Sequence, residues 1–134
     1  MVLDDLADIL TSCGVATTGT NLFKSLLPST PDVCVALFVT GGAPPIDTMH
    51  AGPGVNVAER PTVQVLARDT RPDSAEKTAR DAYRVLHWQD GVKNGVRYLS
   101  IEALQSPFFV RRDEADRPIY GFNVLATRVA ATSS

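Results

Sequence analysis

The sequence has few of the residues that mark reactive, metal-binding or membrane-spanning proteins. Its 134 residues include two cysteines and two histidines, and aromatic residues make up 7%. Cys13 and Cys34 form neither a CxxC pair nor a zinc-ligand pattern, so we expect both to be buried reduced thiols. No apolar run approaches the length of about 18 residues that a membrane-spanning helix needs. We therefore expect the protein to be made in the cytoplasm and to work there.

An excess of positive charge is also missing. The chain has 13 lysines and arginines against 15 acids, which gives a formal net charge of -2. Such a charge does not favour binding to a nucleic-acid backbone. The hydrophobic fraction of 44% and the charged fraction of 21% are typical of globular proteins and exclude a disordered tail or a coiled coil. We expect one domain over residues 1–134.

Reactive constellations are absent from the sequence pattern. Nucleophilic catalysis needs a hydroxyl or thiol about 3 Å from a base, and neither His50 nor His87 has an evident partner of this kind. His87 is placed to complement the dipole at a helix C-terminus. The GxxxxG spacing from Gly14 to Gly19 lacks the lysine of a phosphate-binding loop. We expect no catalytic residue, no cofactor and no metal, and a small hydrolase using His50 with loop acids is the weakest alternative.

Two segments have the spacing of amphipathic helices. Residues 2–13 place apolar side chains three and four apart, with acids in the first turns and Gly14 as the terminator. Residues 74–89 place three alanines in one apolar stripe, which predicts a helix that packs flat across a sheet. Asp73 and Glu76 have the spacing of a capping box at the start of this second helix.

Five segments are predicted to be strands, near residues 33–39, 62–68, 98–101, 108–112 and 119–128. The first is apolar on both faces, as in a strand inside a covered sheet. The second alternates, so Gln64 and Arg68 should point away from the core. Asn94-Gly95 predicts a tight turn, and the acids of residues 113–116 predict a solvated one.

These elements favour an α+β fold over a doubly wound sheet. We expect a mainly antiparallel sheet of about four to five strands, packed with two main helices. Residues 40–61 carry four glycines and four prolines and follow no clear period. Because such long loops are usually functional or disordered, this stretch is either an arm that orders against a neighbour or a floppy loop. Trp88 and Phe108-Phe109 fit interface anchors and core packing equally well.

A series of short motifs is spread along the chain. In order, they are Asn21-Leu22-Phe23, Leu27-Pro28, Pro31-Asp32, Thr40-Gly41-Gly42 with Pro44-Pro45, Pro61-Thr62-Val63-Gln64-Val65, Leu104-Gln105-Ser106-Pro107, Arg112-Asp113-Glu114 with Arg117-Pro118, and Phe122-Asn123. From Leu3 to Arg128 the series resembles the minor capsid or tail-terminator family of siphophages and related prophages. Two departures are the glycine-rich stretch 49–58 and Val110-Arg111, where Leu-Gly is more usual.

The resemblance implies a ring, usually hexameric, at the head-proximal end of the tail. Such a ring stops growth of the tail tube and presents a surface to the head connector, without catalysis. The implied partners are other copies of the chain, the tail tube protein and a head-completion or connector protein, and DNA passes through the ring without sequence-specific binding. The implied location is the host cytoplasm during assembly and then the head-tail junction of the virion. The alternative is a head-completion or connector protein that binds capsid or portal.

Contacts between subunits are expected first on the stretch 40–61 and second on the acidic hairpin. The candidate interface residues are Thr40, Gly41, Gly42, Pro44, Pro45, Arg112, Asp113, Glu114 and Arg117.

Overall fold

The computed structural model describes residues 2–46, 58–87 and 89–129. In chain order their elements are α1 (Val2–Ser12), β1 (Leu22–Lys24), β2 (Cys34–Ile46), β3 (Ala58–Arg68), α2 (Pro72–Leu86), β4 (Gln89–Lys93), β5 (Val96–Ala103), β6 (Phe108–Arg112) and β7 (Pro118–Val129). The α+β class and the two helices are confirmed. The expected number of strands was too low, because β1 and β4 are short and carry no clear alternation.

The strands form one mixed sheet in the order β1-β2-β3-β7-β5-β4, with β6 also paired to β7. Only the short pairing of β1 with β2 is parallel among the described strands. β3 lines one edge of β7 along its length, and β5 and β6 lie end to end along the other edge. β7 is therefore the common partner of three strands.

The predicted apolar stripe of α2 packs on this sheet. Ala75, Ala79 and Ala82 are fully buried, and their small side chains let the helix axis approach the strands. The ring of Tyr83 meets Phe122 of β7 edge-on, with the ring centroids 5.8 Å apart. α1 packs over β1 and β2, and its apolar side chains join the same core. Both helices thus contribute to one hydrophobic core against the sheet.

The predicted helix ends are partly correct. α1 ends at Ser12, and Gly14 follows with a φ of +76° as expected of a left-handed terminator. α2 starts two residues earlier than predicted, with Arg71 as its N-cap and no side-chain hydrogen bond to the cap. The capping box was therefore wrong, and Pro72, which needs no partner for a missing N–H, occupies the first turn instead.

The tight turn between β4 and β5 is confirmed. Asn94 has a φ of +50° and Gly95 a φ of +78°, the two left-handed residues that a two-residue hairpin turn requires. α2 ends at Leu86, three residues before the predicted end, and β4 begins at Gln89. The hairpin β4–β5 is consequently longer than the sequence pattern indicated.

The stretch 40–61 is more regular than expected at both ends. β2 continues to Ile46 and β3 starts at Ala58, while residues 47–57 lie outside the described residues. Proline is tolerated in this part of β2 because β1 pairs only with residues 35–37, so the rest of β2 forms an edge of the sheet. Two register shifts in β2 absorb the irregular sequence.

Of three expectations about burial, those for Arg68 and Cys13 need correction and that for Cys34 is confirmed. Arg68 lies on the face of β3 opposite to Val63 and Val65, as the alternation predicts, but it is only 2% exposed. Cys34 is buried, and burial raises the pKa of its thiol. Cys13 is exposed, because it lies in the turn just after α1.

Candidate interaction surfaces

The outer part of β2 carries five of the predicted contact residues. Thr40 is exposed, and its hydroxyl lies 3.2 Å from the hydroxyl of Thr62 on β3. Val39 beside it is 45% exposed. Pro44 and Pro45 follow on the same strand. The structure therefore places these residues on a paired strand at the sheet edge, and not in an irregular loop.

The two glycines of this segment are needed by the backbone. Gly41 has a φ of +128° at the first register shift of β2, a conformation that favours glycine. A Cβ on Gly42 would lie 3.0 Å from the carbonyl oxygen of Arg60, which is tighter than ordinary contacts. Both glycines are exposed, so they leave backbone accessible on this edge.

The second predicted surface, the β6–β7 hairpin, is organised around Asp113. Its carboxylate accepts hydrogen bonds from the backbone N–H of Ala115 at 3.1 Å and of Arg117 at 2.8 Å. The Nε of Arg117 donates to the same carboxylate at 2.8 Å. Both side chains are only 11% exposed. The expectation of a merely solvated turn over residues 113–116 was therefore wrong for Asp113.

Arg117 ties this hairpin to the segment between β1 and β2. Its Nη1 donates to the carbonyl oxygen of Ser29 and to Asp32 Oδ1, each at 2.7 Å. Burial would lower the pKa of Arg117, but Asp32 and Asp113 outweigh it and raise that pKa. For Asp113, burial would raise the pKa, but the backbone and guanidinium hydrogen bonds of Arg117 hold it below its usual value. The charges in this network stabilise each other.

Arg68 completes the network from β3. Its guanidinium donates to the carbonyl oxygens of Pro31 at 2.7 Å and of Asp32 at 3.3 Å, and it lies 3.5 Å from Asp113. Sequence reasoning missed both Arg68 and Asp32. The available signal was an arginine at the end of a buried strand, since arginine is almost never fully buried without partners.

The other two predicted hairpin residues face solvent. Arg112 donates to the carbonyl oxygen of Asp116 at 2.9 Å, and Glu114 is exposed at the turn. A cleft of about 270 Å³ opens beside the network, with Leu27 and Arg111 among its walls. The hairpin thus combines a rigid charged base with an accessible tip.

The sequence left open whether Phe108 and Phe109 belong to the core. They are 41% and 50% exposed, and Leu104 is 51% exposed, so none of the three belongs to the buried core. The ring of Phe109 meets Tyr120 of β7 edge-on at 5.6 Å between centroids. Trp88 lies outside the described residues.

A second buried polar cluster joins α1 to the β4–β5 hairpin. Asp5, one of the acids expected in the first turns of α1, is fully buried. It accepts hydrogen bonds from the hydroxyl of Tyr98 and from Asn94 Nδ2, which also donates to Asp8 at 2.8 Å. Burial, followed by the effect of Asp5, raises the pKa of Tyr98. This cluster fixes the position of α1.

His87 is the C-cap of α2 and contacts β5. Its Nδ1 accepts a hydrogen bond from the backbone N–H of Ala103 at 2.9 Å, and its ring stacks on that of Tyr83 with the centroids 5.4 Å apart. The imidazole therefore accepts a hydrogen bond from a backbone N–H of β5. His50, with the proposed hydrolase site, lies outside the described residues.

Within residues 2–46, 58–87 and 89–129, no group of three or more His, Cys, Asp or Glu side chains could hold a metal ion. In that same part of the chain, every helix is too short or too polar to cross a membrane.

Comparison with known proteins gives a family and a fold. Residues 9–129 match the family of bacteriophage tail terminator proteins. A solved chain from the virion of a native gene transfer agent particle has a TM-score of 0.63 at 14% identity, covering 96% of this chain and 95% of that one. Another solved chain has a TM-score of 0.55 at 16% identity, with coverages of 99% and 93%. At these identities the solved chains show likeness of fold alone. No curated protein matches the sequence.

Proposed function

This chain belongs to the bacteriophage tail terminator family and is a structural protein of the phage tail that joins tail to head, and we propose that it does so as a closed ring. The ring sits on the head-proximal end of the tail tube, stops tube growth and presents its other side to the head-completion protein. It assembles in the host cytoplasm and remains at the head-tail junction of the virion. The family match over residues 9–129 is the observation that carries this proposal.

The charged side chains hold the fold together, and this supports a role based on contacts with other proteins. Arg68, Asp113 and Arg117 bond to one another or to backbone carbonyls, so their charges hold the β6–β7 hairpin in place. Asp5 and Tyr98 are likewise used to attach α1. We propose that the chain works through contacts with other proteins and without catalysis or a bound cofactor.

The outer part of β2 is the proposed contact between neighbouring subunits. It lies at an edge of the sheet, where backbone groups can pair with another chain. A ring needs a head-to-tail contact between two different surfaces of one subunit, and an edge segment that meets the next copy provides one of them. Thr40, Gly41, Gly42, Pro44 and Pro45 are the residues we assign to this contact, with the hairpin tip at Arg112 and Glu114 as the next candidate.

The test is tail capping in vitro. Purified protein is mixed with polymerising tail tube protein, and the tubes are imaged by negative-stain electron microscopy. We expect tubes that end in a bound ring and stop at uniform length. Tubes that grow on without a bound ring would contradict the proposal. Recovery of the protein with tailless heads, and not with tails, would favour the head-completion alternative instead.

A matched pair of variants locates the ring contact. Thr40→Arg adds a long charged side chain to the proposed contact, and Thr20→Arg adds the same side chain to an exposed turn after α1. We expect Thr40→Arg to raise the concentration needed for capping about tenfold, which corresponds to about 1.4 kcal/mol. Thr20→Arg should cap like the parent. If both variants need the same concentration for capping, the contact between subunits lies elsewhere.

A further inference from the structure

A cleft of about 270 Å³ lies beside the charged network of the β6–β7 hairpin. The charged residues in its walls are Arg68, Arg111, Arg117, Asp113 and Glu114. Arg68 and Arg117 meet at the carboxylate of Asp113, and each of these three side chains is at most 11% exposed. Arg111 and Glu114 are exposed. The cleft therefore has a buried charged base and an accessible charged rim.

The buried guanidinium of Arg68 has a donor to spare. Its Nε and Nη2 donate to the backbone carbonyl oxygens of Asp32 and Pro31. Its Nη1 makes no hydrogen bond within the described residues and lies 3.5 Å from the carboxylate of Asp113. Since no fully buried side-chain nitrogen or oxygen in that part of the chain lacks a hydrogen bond, Nη1 must face the open space of the cleft. It is thus a fixed donor that an outside acceptor can reach.

Arg111 is the second guanidinium that is free to bind. It makes no hydrogen bond or ion pair within residues 2–46, 58–87 and 89–129. Arg117, by contrast, is paired with Asp113 and Asp32. Because Asp32 does not line the cleft, the walls carry three positive charges against two negative ones. The cleft therefore attracts one further negative charge.

A carboxylate is the group that this arrangement binds best. Guanidinium groups donate to carboxylates through charge-assisted hydrogen bonds, which are about twice as strong as neutral ones. One carboxylate also balances the excess of one positive charge. A nucleic-acid strand brings a row of negative charges, which Glu114 at the rim and the net charge of -2 of the chain would repel.

The size of the cleft indicates a side chain of another protein. Pockets for small molecules usually have about 300–1,000 Å³ and enclose most of the ligand. This cleft is smaller, and Ser29, Arg111 and Glu114 in its walls are exposed. A free carboxylate would stay largely in water there. An acidic side chain on a protein is held in place by the contacts around it, so it binds at a lower cost in entropy.

We infer that this cleft binds an aspartate or glutamate side chain of a partner protein, with Arg68 Nη1 at the base and the Arg111 guanidinium at the rim as donors. The site goes beyond the proposed role in ending the tail. It is measured on the free protein without tails, so a failure of this inference is distinguishable from a failure of the proposed function.

The first test is an NMR titration of the free protein with two small probes at constant ionic strength. One probe is glutamate blocked by acetyl and amide groups, so that the side-chain carboxylate is its only charge. The other is glutamine blocked in the same way. We expect the glutamate probe to shift the backbone amide signals of residues 111–117 with a Kd of about 1–10 mM, as expected of so small a ligand. The glutamine probe should bind at least about tenfold more weakly.

Three substitutions then assign the binding to the cleft. Arg111→Gln removes the guanidinium at the rim and should raise the Kd about two- to fivefold, the usual range for an exposed ion pair. Arg97→Gln removes the same charge from an exposed position of β5 and should leave the Kd unchanged. Glu114→Gln removes a competing carboxylate and should lower the Kd by a similar factor. The amide spectra show that each variant is folded.

Four outcomes would overturn the inference. Equal shifts with both probes would mean that the charge of the ligand is irrelevant. Equal Kd values for Arg111→Gln and Arg97→Gln would move the binding away from the cleft. No saturable shift up to about 100 mM of the glutamate probe would remove the site altogether. Tighter binding of a short DNA duplex to the same amides, lost in Arg111→Gln, would assign the cleft to phosphate groups instead.

Discussion

Gly121 lies where β7 runs between β3 and β6, and a side chain has no room there. A Cβ would lie 2.5 Å from the carbonyl oxygen of Val65 and 2.8 Å from Leu66 Cδ2. We expect Gly121→Ala to lower the free energy of unfolding by about 1–3 kcal/mol or more, because backbone must move. Gly19→Ala is the control, since it meets nothing within 4 Å and carries only the cost of a positive φ. Urea denaturation should rank Gly121→Ala as the worse variant; the reverse order would contradict the model of this site.

Asp113 should make the fold sensitive to acid. Its pKa in the folded protein is lowered, so its stabilising contribution is present above the unfolded value near 3.8 and is lost as the pH falls through the folded value. Asp113→Asn should lower the free energy of unfolding at pH 7 and reduce the further loss between about pH 5 and pH 2.5. Glu114→Gln, at an exposed position of the same turn, is the control. Identical pH profiles for Asp113→Asn and the parent would contradict this role.

At the scale of single residues, the sequence predicts the face on which a side chain lies better than it predicts the groups that this side chain contacts. Alternation correctly sets Arg68 on the face opposite to Val63, but it cannot reveal the carbonyl oxygens of Pro31 and Asp32 that bury it. Asp5 fits a helix N-terminus by pattern, yet Tyr98 reaches it from 93 positions away. Such pairings depend on tertiary geometry, which local spacing does not encode.

At the scale of elements, one hydrogen bond attaches α1 to β5. Tyr98→Phe removes the hydroxyl that donates to the buried carboxylate of Asp5, and we expect the free energy of unfolding to fall by about 1–3 kcal/mol. Tyr120→Phe is the matched control on a half-buried tyrosine of β7. Thermal melting of the two variants compares them directly, and an equal change would mean that the Asp5 contact adds nothing.

Elements with strong periodicity were predictable, and those specified by pairing were not. The alanine stripe of α2 and the Asn94-Gly95 turn follow from local rules. β1 has three residues and β4 five, too few to show alternation, and they are strands because neighbouring strands supply their partners. The extension of β2 through Pro44 and Pro45 depends on its lying at an edge, which is a property of the whole sheet.

At the scale of the molecule, a change at the tip of the β2–β3 hairpin should weaken assembly without weakening the fold. Ile46 pairs with Ala58, so a two-residue Asn-Gly turn can replace residues 47–57 and still close the hairpin. We expect this variant to melt cooperatively near the parent temperature and to cap tail tubes poorly. Melting is followed by circular dichroism and capping by electron microscopy. Loss of cooperative melting would show that the replaced residues contribute to the core.

β7 is synthesised after every strand that it joins. β3, β5 and β6 leave the ribosome first, and until residues 118–129 follow, they have no common neighbour. Because the β3–β7 contacts are distant in sequence, that part of the sheet must close late and comparatively slowly. A chain that stalls before Pro118 would therefore leave these strands without their shared partner and expose them to chaperones and proteases.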